Sequence, residues 1–304
     1  MQHRWVVVHN NWSTVKRHIL FVDKYQDIQF VDSLTLNNIE FVVFLDKPVT
    51  KATFQQMCLV KQKVLYSKDD MHEFRQKFKS LFQISYIGHV FTLFVCPASY
   101  KLLDEWLVYD VNEVNTLSAT CAMYFEPPHV VVFDMDSTLI TDEEEVQIRD
   151  VSVYSALDEL KSMNCVLCLW SYGTREHVVH SLNKVGLNGY FNIILAEGRH
   201  VGDYSIATTT DMYNKVVYKS TPFYLDEFDK KNIPKSPRVV LWYLQKHNIG
   251  VVKTITLVDD LIDNNIGYDN FVNLNTCPVP VQDWDKWHNK IVDYIKDYNC
   301  THPY

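Results

Sequence analysis

The chain has 304 residues, a net charge of -8, 47% hydrophobic and 22% charged residues, a composition close to the soluble average that excludes disorder and fibrous repeats. Its strongly apolar runs, such as Cys165 to Trp170, fall far short of the roughly 20 residues that cross a bilayer, and the few apolar residues after Met1 to Trp5 do not make a secretory signal. Seven cysteines without regular spacing predict a reducing compartment rather than a disulfide framework.

Residues 1–128 read as a mixed α/β region of unknown role. Strand-type runs lie at Phe41 to Leu45 and Val90 to Val95, and between them Met71, Phe74, Phe78, Leu81 and Phe82 recur at helical spacing within 69–83. The aromatic residues read as core, and no chemical motif is visible. Glu126-Pro127-Pro128 then marks a boundary, because two prolines continue neither a ladder nor a helix.

Residues 129–304 alternate regularly. Val130 to Phe133 is a strand, Val151, Tyr154, Leu157, Leu160 and Met163 form one helix face, and Cys165 to Trp170 is the next strand. A helix marked by Val178, Val179, Leu182 and Val185, a strand at Phe191 to Leu195, a helix opened by Ser236-Pro237, and strands at Ile255 to Val258 and Phe271 to Leu274 follow. An amphipathic helix carrying Trp284, Trp287, Ile291 and Ile295 closes the set. Short all-apolar strands between helices predict a Rossmann-like parallel sheet covered on both faces. Cys165 and Cys168 look like half a zinc knuckle, but no second pair follows and both read as structural.

The charge lies entirely in this second part. Residues 1–128 carry 13 Lys+Arg against 13 Asp+Glu, whereas residues 129–304 carry 16 against 24. Direct nucleic-acid binding by the acidic part is therefore not expected, and a basic protein partner is.

In a parallel sheet ligands bind at the carboxyl ends of the strands. There the first strand runs into Asp134-Met135-Asp136-Ser137-Thr138, the second ends at Ser171, another ends at Asp259-Asp260, and Lys235 precedes the helix leading to it. A carboxylate such as Asp134 can attack phosphorus, and Asp136 can protonate the leaving oxygen and later take a proton from water. Clustered acids call for a hard cation, most simply Mg2+, held by Asp134 and Asp259 with Asp260 or Asp263 in support. Ser171 and Lys235 would hold the remaining phosphoryl oxygens.

These four motifs, in order and at strand ends, make residues 129–275 resemble the haloacid dehalogenase superfamily of phosphohydrolases. The resemblance implies Asp134 as nucleophile, Asp136 as acid/base, Ser171, Lys235 and Thr138 as phosphate binders, and Mg2+ held by Asp134, the Asp136 backbone carbonyl and Asp259 or Asp260, with Asp263 also fitting the spacing. His129 to Leu139, Ser236 to Leu241 and Thr256 to Asp260, with the extra N-terminal region, make the whole chain similar to the baculovirus 38K family of nucleocapsid-associated proteins. That likeness implies a place in the virion nucleocapsid, assembly in the host nucleus beside other nucleocapsid proteins, and a phosphorylated, basic, protamine-like DNA-packaging protein as substrate.

The expected function is thus a Mg2+-dependent phosphoprotein phosphatase. The alternative is a structural nucleocapsid protein that uses the fold for assembly contacts with little or no turnover. A nucleic-acid end phosphatase fits the charge poorly, and without a glycine-rich phosphate loop no ATP-dependent kinase is expected. An EF-hand is not expected either, because Leu139 stands where its loop needs Gly. Asp142 to Glu145 reads as a solvated acidic run, and His177 and His180 read as structural. The 37 positions from Asp134 to Ser171 leave no room for a large cap, although Gly198 to Phe228 could hold a small insertion.

Overall fold

The computed structural model describes residues 1–45, 60–93, 100–121, 126–141, 145–196, 208–210, 216–218 and 235–302. The chain forms two compact units. The first is Met1–Pro127 with Leu244–Lys253 and Asn299–Tyr304, and the second is Pro128–Tyr243 with Thr254–Tyr298.

The first unit is built on a six-stranded sheet in the order β4-β1-β3-β2-β5-β6. Its strands are β1 (His3–Asn10), β2 (Ile19–Phe21), β3 (Phe41–Leu45), β4 (Val60–Ser67), β5 (Val90–Thr92) and β6 (Val108–Asp110). β1 runs antiparallel to β3 and β4, and the other pairs are parallel. Its helices are α1 (Ser33–Asn37), α2 (Met71–Phe82) and α3 (Val114–Cys121). α2 lies where the aromatic spacing predicts it. Asp70 caps it by accepting from the Glu73 amide, and Gln83 ends it in the left-handed conformation, φ 56°. Phe74 packs edge-on against Trp5 with ring centroids 5.6 Å apart, so the predicted aromatic core is real. The predicted strand at 90–95 ends at Thr92, and Phe94 and Val95 lie outside the described residues.

The second unit contains β7 (His129–Phe133), α4 (Ser152–Ser162), β8 (Val166–Ser171), α5 (Arg175–Lys184), β9 (Ile193–Ala196), α6 (Pro237–Lys246) as far as Tyr243, β12 (Thr254–Asp259), β13 (Asn270–Asn273) and α7 (Trp284–Thr301) as far as Tyr298. A separate antiparallel pair, β10 (Thr208–Thr210) and β11 (Val216–Tyr218), lies in the segment expected to hold an insertion, the rest of which is outside the described residues. The five-stranded sheet has the order β13-β12-β7-β8-β9 and every pair is parallel. This is the expected Rossmann-like α/β fold.

Every residue of β7, β8 and β12 is buried, which is why these strands read as unbroken apolar runs. Val131, Phe133, Leu167 and Leu169 share one core cluster with Leu157 and Leu160 of α4 and Trp284, Ile291 and Ile295 of α7. Their strand neighbours Val130, Val132, Cys168 and Trp170 point the other way and are also buried. Cys165 and Cys168 are buried thiols, and no grouping of metal-ligating side chains among the described residues includes them.

The strand order fixes where a ligand can enter. From β7 the chain winds outward through β8 to β9, then returns to the other side of β7 for β12 and β13. The winding reverses between β7 and β12, and the crevice at their carboxyl ends is the place such sheets leave open. Between Asp134 and β8 the described residues form a tight turn, a bridged loop and α4, without a further domain. Ile140 bridges Ile148, and the Arg149 amide donates to the Leu139 carbonyl at 2.9 Å. Glu145 in this loop is exposed, and 142–144 lie outside the described residues.

Candidate active site

Sheet register sets Asp134 beside Asp259. Phe133 pairs with Val258, so the next residue of each strand emerges at the same level, and the Asp134 amide donates to the Val258 carbonyl at 2.9 Å. Phe133 also pairs with Leu169, which puts Ser171 one residue beyond that level on the other flank. Three of the predicted residues therefore lie at one edge of the sheet because three neighbouring parallel strands end there.

Lys235 bridges the two carboxylates. Its Nζ donates to Asp134 Oδ1 at 2.5 Å and to Asp259 Oδ2 at 2.7 Å, and all three residues are buried. Burial alone would lower the Lys235 pKa, but the two facing carboxylates hold it above the ordinary lysine value. Burial raises Asp134 above the usual carboxylate range; Lys235 opposes the rise and Asp259 adds to it. Thr138 is fully buried, and its hydroxyl, otherwise without a hydrogen-bond partner among the described residues, favours the ionised form of Asp134.

Asp259 is the most rigidly held of the set. Its Oδ1 accepts from the Leu261 amide at 2.8 Å, and its Oδ2 accepts from Asn264 Nδ2 at 2.9 Å as well as from Lys235. Asp134, Asp259 and Asp260 each offer one oxygen within 4.8 Å of the others. Asp263, by contrast, is exposed on the short 3-10 turn Ile262–Asn264 and stays outside this group. The turn carries position 263 outward and brings buried Asn264 to Asp259, so the expectation of Asp263 as a supporting ligand is corrected.

Three carboxylates against one ammonium leave the cluster net negative. A phosphate dianion could not approach it without a further cation. All the donors are hard carboxylate oxygens, at a separation one ion can span, so the residues fit Mg2+.

Asp136 stands apart from the bridged trio, on the turn following β7. Ser171 Oγ donates to its Oδ2 at 2.9 Å, and Ser171 Oγ accepts in turn from the Gly173 amide at 2.9 Å. His177 Nε2 lies 2.7 Å from Asp136 Oδ1, where a carboxylate can only accept. The reading of His177 as structural did not anticipate this contact with a predicted site residue. Thr174 caps α5 by accepting from the His177 amide at 3.2 Å, and a side chain in the first turn of a helix points back toward its start. Gly173 makes the approach possible, since a Cβ there would lie 2.7 Å from His177 Cδ2. The signal in the sequence was Ser171, Gly173 and Thr174 running from a strand end into a helix cap, with a histidine at the third helical position. His180 is exposed on the same helix and takes no part.

Arg149 was also missed. It is fully buried, and its Nη1 donates to the carbonyls of Ser137 at 3.1 Å and Asn275 at 2.9 Å. Ser137 sits between Asp136 and Thr138 with φ 58°, a left-handed conformation unusual for a residue with a side chain. Arg149 thus pins the turn that carries both.

The chain is similar to viral proteins along nearly its whole length. It is 58% identical over 299 residues to the uncharacterized 41.0 kDa protein in the P143-LEF5 intergenic region of Cryptophlebia leucotreta granulosis virus, covering 98% of this chain and 86% of that protein. It is 38% identical over 311 residues to the uncharacterized 38.0 kDa protein in the P143-LEF5 intergenic region of Autographa californica nuclear polyhedrosis virus, covering 98% and 97%. Both relatives are baculovirus proteins. Among solved structures, a HAD-superfamily hydrolase from Ehrlichia chaffeensis aligns at 13% identity and TM-score 0.35, covering 56% of this chain and 99% of that one. An uncharacterized protein from Listeria monocytogenes serotype 4b aligns at 17% identity and TM-score 0.34, again over 56% and 99%. At such scores these two likenesses add nothing to what the strand order shows. The family model described as "Protein of unknown function (DUF705)" matches residues 3–302, and the chain belongs to that family.

Proposed function

We propose that the protein is a Mg2+-dependent phosphatase of the haloacid dehalogenase type that acts on phosphoprotein through an aspartyl-phosphate at Asp134. The observation that carries this reading is the meeting of Asp134, Asp259 and Lys235 at the switch point of a parallel sheet, with Asp136 two residues beyond the first. Asp134 would attack phosphorus, and Asp136 would donate a proton to the leaving oxygen. Ser171 and Lys235 would then bind phosphoryl oxygens, with Thr138 beside the nucleophile.

Asp134, Asp259 and Asp260 would hold Mg2+, with the Asp136 backbone carbonyl as a further ligand. The ion would supply the positive charge that lets a dianion approach clustered acids. Lys235 keeps Asp134 and Asp259 at a fixed separation, and Asn264 and the Leu261 amide keep Asp259 from turning away.

The proposed substrate is a phosphorylated basic protein of the DNA-packaging kind, met during nucleocapsid assembly. The excess of acidic residues after residue 128 supports it, as does the likeness to a nucleocapsid-associated family. The short connection between β7 and β8 also leaves the strand ends without a domain inserted there, which suits a side chain presented on a protein surface. The test compares kcat/KM for a basic phosphopeptide with that for a sugar phosphate at rising salt. The proposal expects the peptide to be preferred, by a margin that narrows with ionic strength. Preference for the sugar phosphate, or a margin indifferent to salt, overturns the substrate assignment. Absence of turnover with any phosphate, with Mg2+ present, would favour a structural nucleocapsid role instead.

A further inference from the structure

We infer that His177 is a positioning residue for the proton-transfer steps: it retains Asp136 by one oxygen while the arriving phosphate releases the other. The inference rests on the phosphatase reading and adds to it a residue with a defined task.

Both Asp136 oxygens are occupied, Oδ2 by the Ser171 hydroxyl and Oδ1 by His177 Nε2. Ser171 has a single proton to give, and its oxygen already accepts from the Gly173 amide. It therefore cannot donate to a phosphoryl oxygen and to Asp136 at once. When a phosphoryl oxygen takes the Ser171 proton donor, Asp136 Oδ2 loses its partner and becomes free to face the leaving-group oxygen. His177 is then the holder that remains. The Ser171 hydroxyl can change partner by rotating about its Cβ–Oγ bond, while the capped first turn of α5 sets the backbone from which the His177 ring reaches Asp136.

As Asp134 Oδ bonds to phosphorus, the bond from phosphorus to the leaving oxygen breaks, and that oxygen takes a proton that Asp136 Oδ2, once Ser171 has left it, has gained from solvent or from the water of the preceding turnover. In the second half, a water oxygen bonds to phosphorus and gives a proton to Asp136. The Asp134 bond to phosphorus breaks, releasing inorganic phosphate and restoring both carboxyl groups. Asp136 must hold one orientation through both halves, and Ser171 has left it in each.

A leaving group that departs without proton help should not notice the loss of His177, and one that needs the proton should. The test is kcat/KM of wild type, His177→Ala and His177→Gln toward a nitrophenyl phosphate and toward a phosphoserine peptide. His177→Ala is expected to lose about tenfold or more on the peptide and much less on the nitrophenyl ester. His177→Gln can place an amide donor near Asp136 Oδ1 and should recover most of the loss. Equal losses on the two substrates, or none, with an active wild type would overturn the role of His177 alone. Inertness of the wild type toward both would overturn the phosphatase reading, and this role with it. The contact itself has a readout that needs no turnover: Asp136→Asn should shift the His177 ring resonances, and an unmoved ring would also overturn the inference.

Discussion

Arg149 and Asp283 meet through two parallel hydrogen bonds, Nε to Oδ1 at 2.7 Å and Nη2 to Oδ2 at 3.0 Å, although 134 residues separate them. Trp287 Nε1 donates to the same carboxylate at 2.9 Å, so the start of α7 is tied through Asp283 to the guanidinium that grips Ser137. The paired Arg149 holds Asp283 below the usual carboxylate range. Removing the guanidinium leaves the Ser137 and Asn275 carbonyls without their donor. Arg149→Ala is expected to cost about 3 kcal/mol of stability, read from the denaturant midpoint. Arg149→Lys should recover only part of it, because an ammonium cannot make the planar fork. An unchanged midpoint would contradict the assigned clamp.

His18 and His89 make the first unit sensitive to acid. Their rings lie 5.2 Å apart, and the His89 amide donates to His18 Nδ1 at 3.2 Å, which requires that nitrogen to be unprotonated. Burial, then the neighbouring His89, pushes His18 down to about 3. Burial pushes His89 down to about 4, against the opposing pull of Gln245 and Glu113. Both rings stay neutral in the fold while the unfolded chain takes up protons below about 6.5. The unfolded state therefore binds more protons as pH falls, and stability is full above about 6.5 and lost on the way down toward 4. Protection against hydrogen exchange in β2 and β5 should fall over that window, and His18→Gln should flatten the response. Constant protection from pH 7 to about 4.5 would contradict it.

The second unit was legible because β7, β8 and β12 are buried on both faces and so read as unbroken apolar runs between helices. Their polar ends then declared the site, since Asp134, Ser171 and Asp259 follow directly from where each run stops. The first unit was less legible. β1 follows the chain start with only a few apolar residues, β4 sits at a sheet edge with Lys61 and Lys63 among its residues, and β2 has only three residues. His177 and Arg149 depend on contacts across 41 and 134 residues, which no local spacing announces. Asp263 fits the spacing but not the site, because the pitch of one short turn, which spacing does not give, leaves it exposed and turns Asn264 inward.

Lys235 stands between two carboxylates that would repel without it. Lys235→Met should remove turnover and lower stability by about 3 kcal/mol or more, since it leaves buried charges unpaired. Mg2+ should restore part of that stability by taking over the neutralisation, so the rise in Tm on adding Mg2+ should be larger in the variant than in the wild type. Equal rises would contradict the placing of both cations on the same carboxylates.

Asp134 should carry the phosphoryl group during turnover. Protein turning over a labelled aryl phosphate with Mg2+ is quenched in acid and the label mapped by peptide. Label on Asp134, lost with chelator and absent from Asp134→Asn, is the predicted result. Turnover that leaves no label on Asp134, or that survives Asp134→Asn, would contradict the account.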